Sequence, residues 1–226
     1  MKKLIIATLL LAFCLSGCNS KHTTTSSENE SQKNETTQTT QTTDDTKKET
    51  ESPPVTDTNT YGEVTIEMEG GAIITIGLYP QYAPKTVENF VKLVSEGFYD
   101  GLTFHRIIPG FMIQGGDPEG TGMGGSDEDI VGEFKANGFS QNTLKHTRGV
   151  NSMARSQSFD SASSQFFIMH EDAPHLDGQY AAFGKVLTGI ETVDKIASVE
   201  TGANDKPIKN VVMKKVTLTK EVDYRN

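Results

Sequence analysis

Phe104-His105-Arg106-Ile107-Ile108-Pro109-Gly110-Phe111-Met112-Ile113-Gln114-Gly115-Gly116-Asp117 is the stretch that decides how this chain is read. Apolar and polar residues alternate along much of it, as on a half-buried strand, and the glycine pair marks a turn at its end. One strand over Phe104 to Gln114 is expected. The same run sets Arg106, Gln114 and two large apolar residues, Phe111 and Met112, within nine positions. A cation and an amide beside an apolar surface are an odd choice for stability alone. They suit gripping a proline ring and hydrogen-bonding the peptide group attached to it.

Further strands are expected on either side. Gly62 to Met68 and Ala72 to Leu78 alternate around Glu69-Gly70-Gly71, which reads as a hairpin. Pro84 suits the first turn of a helix carrying Val87, Phe90, Val91 and Val94 at helical spacing, with Gly97 as its C-cap. Val150 to Ala154, Gln165 to His170, Ala181 to Val186 and Val211 to Thr219 read as strands, with a second helix near Ile190 to Ala197. Short strands with two helices predict a mainly β barrel with helical plugs.

Three further segments stand in order around the opening stretch. They are Gly149-Val150-Asn151-Ser152-Met153-Ala154, Ser164-Gln165-Phe166-Phe167-Ile168, and the run Leu176-Asp177-Gly178-Gln179-Tyr180-Ala181-Ala182-Phe183-Gly184-Lys185-Val186. With the first stretch they resemble the motifs of the cyclophilins, the peptidyl-prolyl cis-trans isomerases, from about Tyr61 to about Thr219. The resemblance implies a closed barrel of eight antiparallel strands capped by two helices, with its site on the outer surface. It implies that Phe111, Met112, Phe167 and Leu176 form a proline pocket. Gln114 would hydrogen-bond the substrate backbone and support Arg106. Ala154 and Gln165 would line the groove, and Arg155 would offer a backbone group there. Phe166 is assigned inward and Phe167 to the groove. Arg155 stands where the family commonly has Asn, which bears on groove charge. His175 replaces a frequent Trp and Tyr180 a frequent His, so both belong to the substrate surface in altered form. Losing the indole at His175 implies weakened binding of cyclosporin.

The chemistry expected of such a site is modest in kind and demanding in geometry. Rotation about an X-Pro bond loses amide resonance, with a barrier of ~18–20 kcal/mol. Removing about 7 kcal/mol would turn a ~100 s process into a ~1 ms one. No covalent bond changes, so no cofactor, metal or nucleophile is called for. The twisted amide must be bound more tightly than the planar one. As the nitrogen pyramidalises it regains a lone pair, which an Arg106 N–H can meet. One charge-assisted hydrogen bond contributes only ~1.5–3 kcal/mol, so Arg106 needs a preorganised, partly dry surround.

The ends are of different material. Met1-Lys2-Lys3 followed by apolar Leu4 to Leu15 reads as a signal peptide, too short for a spanning helix. Leu15-Ser16-Gly17-Cys18 resembles a bacterial lipoprotein cleavage box, implying removal of residues 1–17 and lipidation of Cys18. Cys14 would leave with the signal, so no thiol remains for a disulfide or a zinc site. Residues 18–60 are rich in Thr, Ser, Gln and Asn and too poor in apolar groups to offset ordering entropy. They read as a disordered tether. The folded domain is placed at 61–226. The expected setting is the extracytoplasmic face of a cell membrane, lipid-anchored, with proline-containing exported polypeptides as partners and a monomeric state.

Other classes find less support. The tether carries a net charge of −4 and the domain −7, which disfavours nucleic-acid binding through phosphate. Gly120-Thr121-Gly122-Met123-Gly124-Gly125 fits G-x-G-x-x-G but lacks a βαβ setting, and reads as a flexible surface loop near the groove. His170 and His175 with Glu171 and Asp172 read as solvated loop residues rather than metal ligands. Asp127-Glu128-Asp129 lacks the full calcium-loop series, and no serine-hydrolase elbow is present. A non-catalytic proline-loop binding module or holdase is the alternative function, and a surface adhesin using the barrel as a scaffold is a third.

Overall fold

The computed structural model describes residues 61–224. The signal, Cys18 and tether expected in residues 1–60 lie outside the described residues. In chain order the elements are β1 (Gly62–Met68), β2 (Ile73–Leu78), α1 (Pro84–Ser95), β3 (Phe104–Ile108), β4 (Met112–Gly115), β5 (Val150–Met153), β6 (Phe166–Met169), β7 (Ala182–Thr188), α2 (Ile190–Ala197) and β8 (Met213–Lys220). Short 3-10 turns lie at Lys135–Asn137, Pro174–Leu176 and Ala203–Asp205. The eight strands form one sheet in the order β3-β4-β6-β5-β7-β2-β1-β8. Every neighbouring pair is antiparallel.

The sheet curls as a half-barrel. Its core draws Phe104 and Ile107 from β3 and Met213 and Val216 from β8, the two ends of the strand order. The expected closed barrel is seen only this far. The seam carries one antiparallel bridge, Thr103 with Val212. The Phe104 N–H donates to the Val211 carbonyl at 2.9 Å and the Met213 N–H to that of Leu102 at 2.8 Å.

The single strand expected over Phe104 to Gln114 is two strands of a hairpin. The Phe111 N–H donates to the Ile108 carbonyl at 3.1 Å across Pro109-Gly110. Gly110 sits at φ 76°, and a tight turn with Pro first and Gly second accepts that angle readily. Cross-strand partners share a face of a sheet. Ile108 pairs with Met112 and Arg106 with Gln114, so the apolar–polar pattern runs through the turn without a break.

The pairing also skips a residue. Phe104 pairs with Gly115 and Arg106 with Gln114, which leaves His105 as the extra residue of a β-bulge. Without it Phe104 and Arg106, two apart, would share a face. With it Phe104 and Ile107 enter the barrel core while Arg106 lies on the outer side.

Strands β4 and β6 are apolar on both faces. Ile113, Phe166 and Ile168 pack into the barrel core. Met112, Phe167 and Met169 form a second cluster outside it with Val150, Ala173, Leu176 and Ala182. Phe166 thus faces the barrel and Phe167 the outer surface.

Helix α1 turns Val87, Phe90, Leu93 and Val94 into the barrel core. The Phe90 ring lies 5.0 Å from Phe183 and 5.5 Å from Phe166, centroid to centroid. Its first turn has no local side-chain cap. Instead buried Glu133 accepts the N–H groups of Lys85 (3.0 Å) and Thr86 (2.8 Å) and the Thr86 hydroxyl (2.7 Å). The helix ends as Gly97 predicts: Phe98 N–H donates to Leu93 O and Gly97 N–H to Val94 O, the Schellman pattern.

Candidate functional site

The outer cluster is the floor of a cleft of about 730 Å³. Met112 from β4, Phe167 from β6 and Leu176 from the 3-10 turn before β7 supply its apolar base. Phe111 and Tyr180 form its sides, the Tyr180 ring meeting Phe167 edge-on at 5.8 Å. Arg106 and Gln114, register partners on β3 and β4, stand beside this base. Ala154 and Arg155 line the same cleft. Residues spread over 75 positions therefore converge on one surface.

Two expected residues sit at its margins. Gln165 lines an adjoining pocket of about 410 Å³ that shares Gln114, Ala154 and Arg155 as its wall. His175 is exposed and stacks on Phe111, with centroids 5.7 Å apart and planes at 26°.

The polar groups are held by partners the sequence does not announce. Gln114 donates its amide to Gln165 Oε1 at 2.8 Å, and Gln165 donates its own to the Gly122 and Gly124 carbonyls at 3.1 and 2.7 Å. The support expected from Gln114 to Arg106 runs through strand register rather than a side-chain hydrogen bond. Arg106 Nε lies instead 3.4 Å from Asp205 Oδ2.

Arg155 is enclosed by three rings, its guanidinium carbon 4.6 Å from the Tyr180 centroid, 4.9 Å from Phe159 and 5.1 Å from Phe134. Its donors go to the Gln179 and Ser156 carbonyls. The groove therefore carries an added cation whose three nitrogens each already donate to a backbone carbonyl.

The floor is braced from behind. His146 stacks on Phe167 at 6.1 Å, with Nδ1 3.2 Å from Asp177 and Nε2 3.1 Å from the Ser152 hydroxyl. Burial pushes the His146 pKa down against the upward pull of Asp177, which favours the neutral ring. His170, expected as solvated, instead accepts the Gly110 N–H on Nδ1 at 2.9 Å, with Nε2 3.3 Å from Asp194. Its own backbone N–H holds the Phe111 carbonyl at 2.9 Å, so the turn carrying Phe111 is fastened to the end of β6.

Two buried polar residues escaped the sequence reading. His105, the bulge residue, lines the cleft, and burial depresses its pKa against the upward pull of Asp117. Asp117 organises the glycine-rich loop expected to be flexible. It accepts the N–H groups of Glu119 (2.8 Å), Thr121 (2.9 Å) and Gly122 (2.6 Å). A side chain at Gly124 would collide with that carboxylate. An Asx residue followed closely by glycines was the available signal.

Burial alone would push the Asp117 pKa up, but the ring of backbone donors holds it below the usual carboxylate value. Its stabilising contribution is then present above the unfolded-state pKa of about 3.9 and lost as pH falls through the lower folded value. Asp117→Asn should therefore destabilise the protein at pH 7 and by progressively less below about pH 4. Urea unfolding of both proteins at pH 7 and pH 3 checks this, and an equal gap at both would contradict it.

Comparison with known proteins bears on the family and the fold. The family model described as cyclophilin type peptidyl-prolyl cis-trans isomerase/CLD matches residues 63–218. The chain is 52% identical over 124 residues to peptidyl-prolyl cis-trans isomerase B of Bacillus subtilis, covering 55% of this chain and 82% of that one. It is 43% identical over 159 residues to the peptidyl-prolyl cis-trans isomerase-like 1 of Gibberella zeae, covering 70% and 95%. Other relatives are much longer: the alignment spans 25% of the isomerase-like 2 protein of Gibberella zeae, at 41% identity over 145 residues. A crystal structure of a Cryptosporidium parvum cyclophilin type isomerase, in the presence of the dipeptide Ala-Pro, superposes with a TM-score of 0.63 at 34% identity, covering 69% of this chain and 98% of that one. The chain belongs to the cyclophilin-type peptidyl-prolyl cis-trans isomerases.

Proposed function

We propose that this chain speeds cis–trans exchange of X-Pro bonds in exported polypeptides, working from a lipid anchor at Cys18 on the extracytoplasmic face of a cell membrane. The observation that carries the catalytic reading is the pairing of Arg106 with Gln114 beside an apolar floor of Met112, Phe167 and Leu176. The floor takes the proline ring and excludes water from one side of the amide. Gln114 holds the substrate backbone. Arg106 presents an N–H to the nitrogen as it pyramidalises, an interaction stronger in the twisted amide than in the planar one. That bond contributes ~1.5–3 kcal/mol of the roughly 7 kcal/mol required. The remainder comes from gripping the residues on either side of the bond in a site already rigid before substrate arrives. The Ala-Pro dipeptide present with the Cryptosporidium relative supports a proline-directed cleft here. The Thr103–Val212 bridge supports a barrel closed at the β3–β8 seam. The anchor rests on the Cys18 motif, and the protein is taken to act as a monomer.

Arg106→Ala should slow exchange of an Ala-Pro peptide, followed by NMR, by about 10- to 100-fold. Perturbed Phe111 and Phe167 signals without faster exchange in the parent protein would instead make this a proline-binding module. Cys18→Ser should abolish fatty-acid labelling of the protein and leave residues 1–17 uncleaved; an unchanged label and mature mass would sink the lipid anchor. Cyclosporin should bind weakly, because exposed His175 offers less apolar area than Trp and no indole N–H. Titration of His175→Trp should show tighter binding, and unchanged affinity would refute that role.

A further inference from the structure

The segment between α2 and β8 makes a small hairpin over the open edge of the cleft. Thr201 bridges Pro207, the Gly202 N–H donates to the Lys206 carbonyl at 2.7 Å, and the Ile208 N–H to that of Glu200 at 3.0 Å. Its two central residues, Asn204 at φ 60° and Asp205 at φ 59°, are the only non-glycine residues with positive φ among those described. A two-residue turn with both centres left-handed favours Asn followed by Gly. Asn204 meets the first preference. Asp205 stands where glycine would relax the backbone, and a strained position that persists invites a search for what its side chain does.

Its carboxylate forms an ion pair with Arg106, a cation beside the cleft floor whose terminal nitrogens have no hydrogen-bond partner among the described residues. Asp205 Oδ2 lies 3.4 Å from Arg106 Nε. No other protein group bonds the Arg106 guanidinium among the described residues, and Gln114, its register partner, is engaged with Gln165. The contact is an ion pair through Nε rather than a formed hydrogen bond, and it leaves both terminal nitrogens for a ligand. The hairpin is itself anchored: Lys206 Nζ donates to the Gly120 carbonyl at 3.0 Å, in the loop that Asp117 organises. Asn204, Asp205 and Lys206 all line the cleft.

We propose that Asp205 is a positioning residue for Arg106, a carboxylate held in a strained turn so that the guanidinium presents its terminal N–H groups to the twisting amide. The proposal rests on the reading of Arg106 as the group that meets the proline nitrogen. Both partners are about half exposed, with side-chain exposures of 42% and 47%. The effect on rate is therefore small, of the order an exposed ion pair contributes, about 3-fold. It falls on kcat rather than KM, because the apolar floor that holds the proline is untouched.

The test uses the full-length chain and its Asp205→Gly, Asp205→Asn and Arg106→Ala variants. Exchange of an Ala-Pro peptide, melting temperature and the Arg106 Nε–Hε NMR resonance are read for each. Asp205→Gly relaxes the turn and Asp205→Asn preserves it, and neither keeps the charge. Both are expected to lower kcat about 3-fold with KM unchanged, to shift the Nε–Hε signal, and to leave the melting temperature undiminished. If both keep the parent rate and signal while Arg106→Ala loses activity, Asp205 has no positioning role and only this proposal fails. If Asp205→Asn is fully active and Asp205→Gly is not, the turn matters rather than the ion pair, and the proposal is again overturned. If Arg106→Ala is itself fully active, the underlying reading of Arg106 falls with it.

Discussion

The structure depends on a parity rule. Side chains on a strand alternate faces, and a sheet with apolar groups on both faces must cover both. Strands β4 and β6 send Ile113, Phe166 and Ile168 into the barrel and Met112, Phe167 and Met169 outward. The inner face is covered by the rest of the barrel and by α1 and α2. The outer face is only partly covered, by Val150, Ala173, Leu176 and their neighbours, and what remains open is the cleft floor. One skipped residue, His105, then brings Arg106 to that same outer face while Phe104 stays inside. Core and site are two sides of one pleated surface.

A reaction without covalent change places its whole burden on preorganisation. The polar groups of the cleft are accordingly tied down by chain segments far from their own strands. Gln114 is held through Gln165 to the Gly122 and Gly124 carbonyls, and that loop is gathered by Asp117. Phe111 is held by His170 from the end of β6, and Phe167 is backed by His146. Arg155 is packed among three rings with its donors occupied. Arg106 stands beside the same floor, paired only with the Asp205 carboxylate among the described residues. The arrangement commits hydrogen bonds to rigidity, the property that differential binding of a twisted amide would require.

Much of this was legible from residues alone, because it rests on local rules. Strand β1, helix α1 with its glycine stop, and helix α2 follow from periodicity and capping chemistry over a few turns. The choice of Arg106, Gln114, Phe111, Met112 and Phe167 as a group follows from motifs in order. Reading Phe104 to Gln114 as one strand failed for a physical reason: partners across a hairpin share a face, so side-chain alternation alone does not reveal the reversal. Pro109-Gly110 was the available signal, since proline followed by glycine is turn chemistry.

The family, the mainly β class, the helices and the central group of cleft residues, Arg106, Phe111, Met112, Gln114 and Phe167, were legible in the residues alone. Those properties are encoded in short windows and in motif order. How the cleft residues are held emerges only in the folded chain. Asp205 lies 99 positions from Arg106, Glu133 is 47 from Thr86 in the helix turn it caps, and His170 is 60 from Gly110 in the turn it fastens. No local propensity links such pairs, because their proximity is produced by sheet curvature and loop anchoring, and both exist only once the chain has folded.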